Sequence, residues 1–152
     1  MIKLAPLNRD RLRDLIEDIE SCRHELQRLT DCEREDFEKN NDLYATTEHY
    51  FRRALEGILT AGTHILSRLP TETKDYTEII TELGRRGIIS EEFAQRNKGL
   101  AGYRNRLVHL YWDVSSQEMF DTIKEHLDDI SVFAESYAEV LRHPEKWNLT
   151  LE

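Results

Sequence analysis

Hydrophobic residues recur at every third or fourth position through most of the chain, which is the period of an amphipathic helix. The first such stretch follows Pro6 and runs to Leu29, and Asn8 is its predicted N-cap. The second covers residues 43–69 and is ended by Pro70. No stretch alternates as a half-buried strand does, and we find no internal repeat. The pattern therefore predicts an all-α protein.

Between and after these two helices the pattern is shorter and more interrupted. Residues 30–42 form a charged run with one aromatic residue and predict a short helix or a polar connector. Residues 76–87 predict a short helix with a glycine stop at Gly84 or Gly87.

Two serines mark the starts of the remaining helices. Ser90 can cap a helix that begins near Glu91 and continues to the tyrosine at position 111. Ser115 and Glu118 have the spacing of a capping box, and they open a last long helix that Pro144 ends. The expected architecture is an up-and-down bundle of four main helices plus one or two short helices. We assign residues 1–148 to a single helical domain and residues 149–152 to a C-terminal tail.

Composition narrows the class of protein. Charged residues make up 34% of the 152 positions and the formal net charge is −9, which argues against coating nucleic acid by bulk attraction. Cys22 and Cys32 are the two cysteines, and no cysteine or histidine cluster has zinc-site spacing. No leader peptide and no membrane-spanning run is visible. We expect a cytoplasmic protein that does not bind membranes and carries no metal or cofactor.

The charge is unevenly distributed along the chain. From position 85 to position 112 six basic residues face two acidic ones, and no acid lies between Phe93 and Trp112. The basic residues are Arg85, Arg86, Arg96, Lys98, Arg104 and Arg106. A solvated helix face and an anion-binding island are about equally good interpretations. In the second interpretation, Arg96, Lys98 and Arg106 are the candidates for contact with RNA.

The stretch RNRLVHLYW, residues 104–112, lies in this island. On a helical projection Leu107 falls on the same line as Leu100, whereas His109 lies nearly opposite. Asn105 and His109, four positions apart, share a face. Arg104 is at the edge of the apolar stripe, where its stem can be buried while the guanidinium reaches the polar face. An anchoring ion pair is the simpler role for this arginine.

Histidine and arginine in this arrangement have a definite chemistry. Histidine can transfer protons near neutral pH, and a guanidinium can hold phosphate oxygens by paired hydrogen bonds. RNA brings its own nucleophile, the 2′-hydroxyl group, so that neither a protein nucleophile nor a metal is required. The reaction would be metal-independent transesterification. One histidine and one arginine are few groups for a catalytic site. A twofold dimer would supply two of each.

The motif Arg, four residues, His, one residue, Tyr resembles that of the HEPN superfamily, specifically the HepT-like toxins of prokaryotic toxin–antitoxin pairs. The longer phrase LAGYRNRLVHLYWDV, late in an all-α chain, carries the resemblance, and the family's HEPN bundle would cover the whole domain. It implies a homodimeric endoribonuclease toxin of a type VII system that acts on tRNA or mRNA. Arg104 and His109 would be catalytic and Asn105 a supporting polar residue. Tyr111 would accept AMP from a minimal nucleotidyltransferase antitoxin, which silences the toxin.

Two other interpretations stay open. The chain could be a non-catalytic helical module that docks a nucleotidyltransferase or a nucleotide, with its acidic helices as the docking face. It could also be a structural dimer in which Asn105 and His109 pack at the interface.

Overall fold

The computed structural model describes residues 4–71 and 75–152, apart from the side chain of Tyr111. Within these residues the chain forms seven α-helices and two short 3-10 helices, and its strand-like pairing is confined to one isolated bridge. The α-helices are α1 (Arg9–Leu29), α2 (Arg34–Lys39), α3 (Asn41–Leu66), α4 (Tyr76–Arg85), α5 (Glu91–Asn97), α6 (Leu100–His109) and α7 (Ser116–Arg142). The 3-10 helices are Tyr111–Asp113 and Pro144–Trp147. The all-α prediction is confirmed.

Three predicted N-caps are present. The side chains of Asn8, Ser90 and Ser115 each accept a hydrogen bond from the backbone N–H three residues later. These bonds satisfy donors that the first turn of a helix leaves without partners, and so fix where α1, α5 and α7 begin.

The long helices α1, α3 and α7 pack against one another around one hydrophobic core. Tyr137 of α7 is fully buried in it, and its hydroxyl donates a hydrogen bond of 2.7 Å to the carbonyl of Ile58 in α3. The shorter helices α4 and α6 pack against α3. None of the helices in the described residues is both long enough and apolar enough to cross a bilayer.

The boundaries of two predicted helices differ in the structure. The second long helix ends at Leu66, three residues before the predicted end, and residues 67–70 form turns. The charged run 30–42 contains the short helix α2, whose Phe37 is buried against the ring of Phe120 in α7 at 5.2 Å between centroids.

The helix predicted to start at Glu91 and continue to position 111 is divided, which corrects the sequence interpretation. It breaks at Lys98 and Gly99, where the side-chain amide of Asn97 donates to the carbonyl of Phe93 at 3.0 Å. A side chain that binds the carbonyl four residues back perturbs the helix locally, and glycine next to it lowers helix propensity further. Two helices, α5 and α6, result.

The last four residues are held in place, although their sequence predicts only a tail. Leu149 is buried, and Leu7 pairs with Leu151 in an isolated parallel bridge. The Leu7 N–H donates to the carbonyl of Thr150 at 2.8 Å, and the Glu152 N–H donates to the carbonyl of Leu7 at 3.0 Å. The two ends of the described chain therefore lie side by side.

Candidate functional site

Helix α6 carries the residues of the motif and separates them by face. Leu100 and Leu107 are buried against the core, whereas His109, at the last helical position, is exposed. The prediction that His109 lies off the apolar stripe is confirmed. The histidine is therefore available to a ligand or to another chain.

Arg104 is the most enclosed charged residue of the motif. Its side chain is 19% exposed, and its Nη1 donates to Oδ1 of Asn105 at 3.0 Å. Its Nη2 lies 3.7 Å from a carboxylate oxygen of Glu56 in α3, and its guanidinium lies 5.1 Å from the ring centroid of Tyr76. Its Nε is buried and has no hydrogen-bond partner among the described residues. The guanidinium is thus held in place while part of its hydrogen-bonding capacity is unused.

Asn105 links the arginine to the face of the histidine. The bond from Arg104 fixes its amide oxygen, and His109 lies four residues further on the same helix face. Among the described residues no side chain hydrogen-bonds to the imidazole ring of His109, so none of them fixes its tautomer. A histidine that transfers protons is usually oriented by such a partner.

The segment after α6 turns away from the helix. Leu110 has φ −135° and ψ 40°, and a 3-10 helix begins at Tyr111. The helix therefore ends before Tyr111, so the helical projection that places Leu107 and His109 does not extend to this residue. The side chain of this tyrosine lies outside the described part of the structure.

Arg106 holds this turn against the start of α7. Its Nε and Nη2 bind the side chain and the carbonyl of Asp113, at 3.1 and 3.2 Å. Its two Nη atoms each donate to one carboxylate oxygen of Glu118 at 2.9 Å. From the other side, the Tyr44 hydroxyl donates to the carbonyl of Val114 at 2.6 Å. The backbone just after position 111 is therefore held at Asp113 and Val114.

The predicted basic island is largely neutralised in three dimensions. Arg106 is bound to two carboxylates, and Arg96 binds Asp129 of α7 at 2.9 Å. Lys98 is exposed in the break between α5 and α6. The sequence of the island alone does not predict this neutralisation. Asp113, Glu118 and Asp129 come later in the chain, and the fold brings them back against the island.

Other residues of the site were missed by sequence reasoning. Glu56 and Tyr76 contact Arg104 from α3 and α4, and Tyr44 fixes the turn. They are 28 to 70 positions away from their partners, and their spacing carries no motif. A local pattern could not have identified them.

The outer face of α6 is open. A Cβ atom added at Gly99 or Gly102 would meet no heavy atom within 4 Å. Beyond the helix, Leu110 and Trp112 are 45% and 70% exposed. Another backbone can therefore approach this face closely.

Among the described residues, no group of three or more His, Cys, Asp or Glu side chains could hold a metal ion.

Comparison with known proteins adds three findings. The family model described as Ribonuclease HepT-like matches residues 14–137. The tRNA nuclease HepT of Aphanizomenon flos-aquae (strain 2012/KM1/D3) is 28% identical over 129 residues, which are 84% of this chain and 82% of the relative. The cytosolic protein YutE from Bacillus subtilis, of unknown function, superposes with a TM-score of 0.73 at 20% identity over 99% of both chains. The last likeness concerns the fold alone.

Proposed function

The chain belongs to the HepT-like ribonuclease family and is an endoribonuclease, and we propose that it cleaves RNA at the surface formed by Arg104, Asn105 and His109. The observation that carries this proposal is the position of Arg104. Its guanidinium is bound to Asn105 on the helix whose exposed end is His109. One helix thus carries both a phosphate-binding group and a proton-transfer group.

The reaction would be an internal transesterification. The 2′-oxygen of the RNA attacks the adjacent phosphorus, the bond from phosphorus to the 5′-oxygen breaks, and a 2′,3′-cyclic phosphate and a 5′-hydroxyl remain. His109 takes the proton of the 2′-hydroxyl or supplies the one that the leaving oxygen needs. Arg104 stabilises the extra negative charge of the transition state. Because the nucleophile belongs to the substrate, the reaction requires no metal.

A second copy of the chain would complete the site. The reaction needs one group to accept a proton and another to donate one, and this surface offers a single histidine. A twofold dimer that brings two α6 helices together would supply two histidines and two arginines. The open face at Gly99 and Gly102 leaves room for such an approach.

We further infer that the enzyme is a cytoplasmic toxin of a type VII pair and that tRNA is its first candidate substrate, since the relative is a tRNA nuclease. A minimal nucleotidyltransferase antitoxin would transfer AMP to Tyr111. A nucleotide bound there would place a bulky anion near Arg104 and His109 and would repel RNA.

The second candidate is a non-catalytic module that docks a nucleotidyltransferase or a nucleotide. The neutralised island favours it, because Arg96 and Arg106 are occupied by carboxylates. We propose RNA contacts for Arg96, Lys98 and Arg106, and Lys98 is the one of the three without an ion pair to a described carboxylate.

The test is cleavage of a total tRNA pool in excess chelator by protein made without its antitoxin, its unmodified mass verified. We expect the wild type to cut and to leave cyclic-phosphate ends. His109→Ala should lose at least about a hundredfold of the rate, the usual contribution of a general acid or base. His24→Ala, which removes an exposed histidine of α1, is the matched control and should cut normally.

Equal rates in the wild type and His109→Ala would eliminate the proposed mechanism. If the wild type cleaves RNA only after a metal is added back, the mechanism is metal-dependent instead. A His109→Ala protein that no longer folds, judged by circular dichroism, would support the structural role of this residue instead.

A further inference from the structure

Most arginines in the described residues are neutralised by carboxylates. Twelve of them lie within 4 Å of a carboxylate oxygen of a described Asp or Glu, and three have no such described partner: Arg9, Arg11 and Arg68. Arg11 and Arg68 line the same cleft. The chain has a net charge of −9, so a cleft with two arginines that no described carboxylate neutralises is unusual for this protein.

The cleft has a volume of about 520 Å³, within the range of small-ligand sites. It lies between the start of α1, the last turns of α3 and the first residue of α4. Its walls carry hydroxyl groups of Thr60 and Thr63, and no described carboxylate lines it. A second cleft, of about 960 Å³, differs because Glu91 and Glu92 line it and its arginines bind carboxylates.

The donors in the smaller cleft are partly fixed and partly unused. Nε of Arg68 donates to the carbonyl of Pro6 at 3.2 Å and Nη1 donates to the Ser67 hydroxyl at 2.7 Å. His64 accepts the Asn8 N–H on Nε2 at 3.0 Å, so in the neutral ring Nδ1 carries the proton. Burial, followed by the charges of Arg68 and Arg11, lowers the pKa of His64. An anion in the cleft would offset that positive field.

The cleft and the candidate catalytic arginine share one neighbour, the ring of Tyr76. Tyr76 lines the cleft, and the same ring lies 5.1 Å from the Arg104 guanidinium. Glu56, which faces Arg104, lies on the α3 face that continues through Thr60, Thr63 and Ser67 into the cleft. A strand with one phosphate at Arg104 can therefore extend along α3 towards Arg68.

We propose that this cleft is a backbone-phosphate subsite for the RNA strand, in which Arg11 and Arg68 bind a phosphate on one side of the one that Arg104 holds. The proposal deepens the ribonuclease function and rests on it. Arg68 is the stronger of the two residues, because Arg11 also borders a cleft lined by Asp10, Asp14 and Asp18.

The experiment measures binding rather than cleavage. A short 2′-O-methyl oligonucleotide, which lacks the nucleophile, is titrated into wild type, Arg11→Gln, Arg68→Gln and the double variant over a range of salt. We expect the double variant to bind at least about tenfold more weakly, and the log–log salt slope to fall by about 0.7 for each lost phosphate contact. Arg9→Gln is the matched control: it removes the same charge from the opposite side of α1, outside the cleft, and should change neither quantity.

A local readout accompanies the affinities. The ring resonances of His64 should shift on addition of the oligonucleotide in wild type and in Arg9→Gln, and should stay in place in the double variant. Unchanged affinity in the double variant, an equal loss in Arg9→Gln, or no binding by the wild type would each overturn the subsite. Uridine 3′-monophosphate that binds as tightly as the strand would assign the cleft to a free nucleotide and overturn it too.

These outcomes are separate from those for the ribonuclease itself. A protein that cleaves RNA normally with both arginines replaced retains the function and loses the subsite. A protein that binds the strand through the cleft but cuts no RNA retains the subsite and loses the nuclease.

Discussion

The two arginines of the motif differ in role because their neighbours differ. Arg106 satisfies its donors with Asp113 and Glu118, so it acts as a fixed brace. Arg104 has one carboxylate at 3.7 Å and a buried Nε without a described partner. A phosphate would compete with one distant carboxylate at Arg104, whereas at Arg106 it would have to displace two carboxylates at short distance. We therefore expect a phosphate to bind at Arg104 rather than at Arg106.

The proposed AMP acceptor can be tested by replacing two tyrosines, Tyr111 and Tyr103. Tyr111→Phe should abolish the AMP adduct after incubation with antitoxin and ATP, since the acceptor hydroxyl is gone, and mass spectrometry measures it. Tyr103→Phe is the control. The Tyr103 hydroxyl is buried, which raises its pKa to about 12 and shields it from a modifying enzyme, so its loss should leave the adduct intact. An adduct retained in Tyr111→Phe would place the acceptor elsewhere.

At the scale of elements, the break between α5 and α6 decides how the site is presented. Asn97 is fully buried, and its amide oxygen accepts from the Nδ1–H of His126 in α7 at 2.8 Å. Asp129 lies 3.4 Å from the same ring nitrogen and also binds Arg96. This polar network joins α5 to α7. Because the chain breaks there, α6 begins as a separate short helix, and His109 is its last residue.

The turn that follows α6 depends on Arg106, which gives a prediction for this element. Arg106→Gln should reduce RNA cleavage severalfold, because the end of α6 that carries His109 loses its tie to Asp113 and Glu118, with a loss of stability of about 1 kcal/mol or less. Arg106→Lys should restore part of the activity by keeping one ion pair.

The control for this prediction is Arg142→Gln. Arg142 binds Glu135 and Glu139 at 2.5 and 2.9 Å in a similar double ion pair near the far end of α7. Arg142→Gln should lower the stability about as much as Arg106→Gln does, as measured by urea unfolding. It should leave the initial rate of RNA cleavage unchanged. Equal activity loss in both variants would show that Arg106 contributes only to stability.

At the scale of the whole molecule, the three long helices form the frame and the two ends of the described chain close one side of it. Leu7 and Leu149 are both buried in the common core, and the Leu7–Leu151 bridge joins the segments. Arg68 donates to the carbonyl of Pro6, so this closure also adjoins the cleft of Arg11 and Arg68.

The closure makes a stability prediction. Leu149→Ala should lower the free energy of unfolding by about 2–3 kcal/mol, because it removes a buried side chain and leaves a cavity. Leu4→Ala, at a leucine that is 41% exposed, should change it by no more than about 0.5 kcal/mol. Urea denaturation of both variants measures the difference. Equal, small effects would mean that residues 149–152 contribute nothing to the folded state.

Sequence by itself determined the helical class, the caps at Asn8, Ser90 and Ser115, and the exposure of His109. Periodicity and capping are local, so they are written in neighbouring positions. The tertiary structure alone decided that the helix predicted over residues 91–111 is divided at Asn97, that residues 149–152 are held by Leu7, and that Asp129 and Glu118 of α7 neutralise Arg96 and Arg106. It also brought Glu56 and Tyr76 to Arg104. These contacts join residues far apart in the chain, and packing of whole helices, which no short pattern records, sets them.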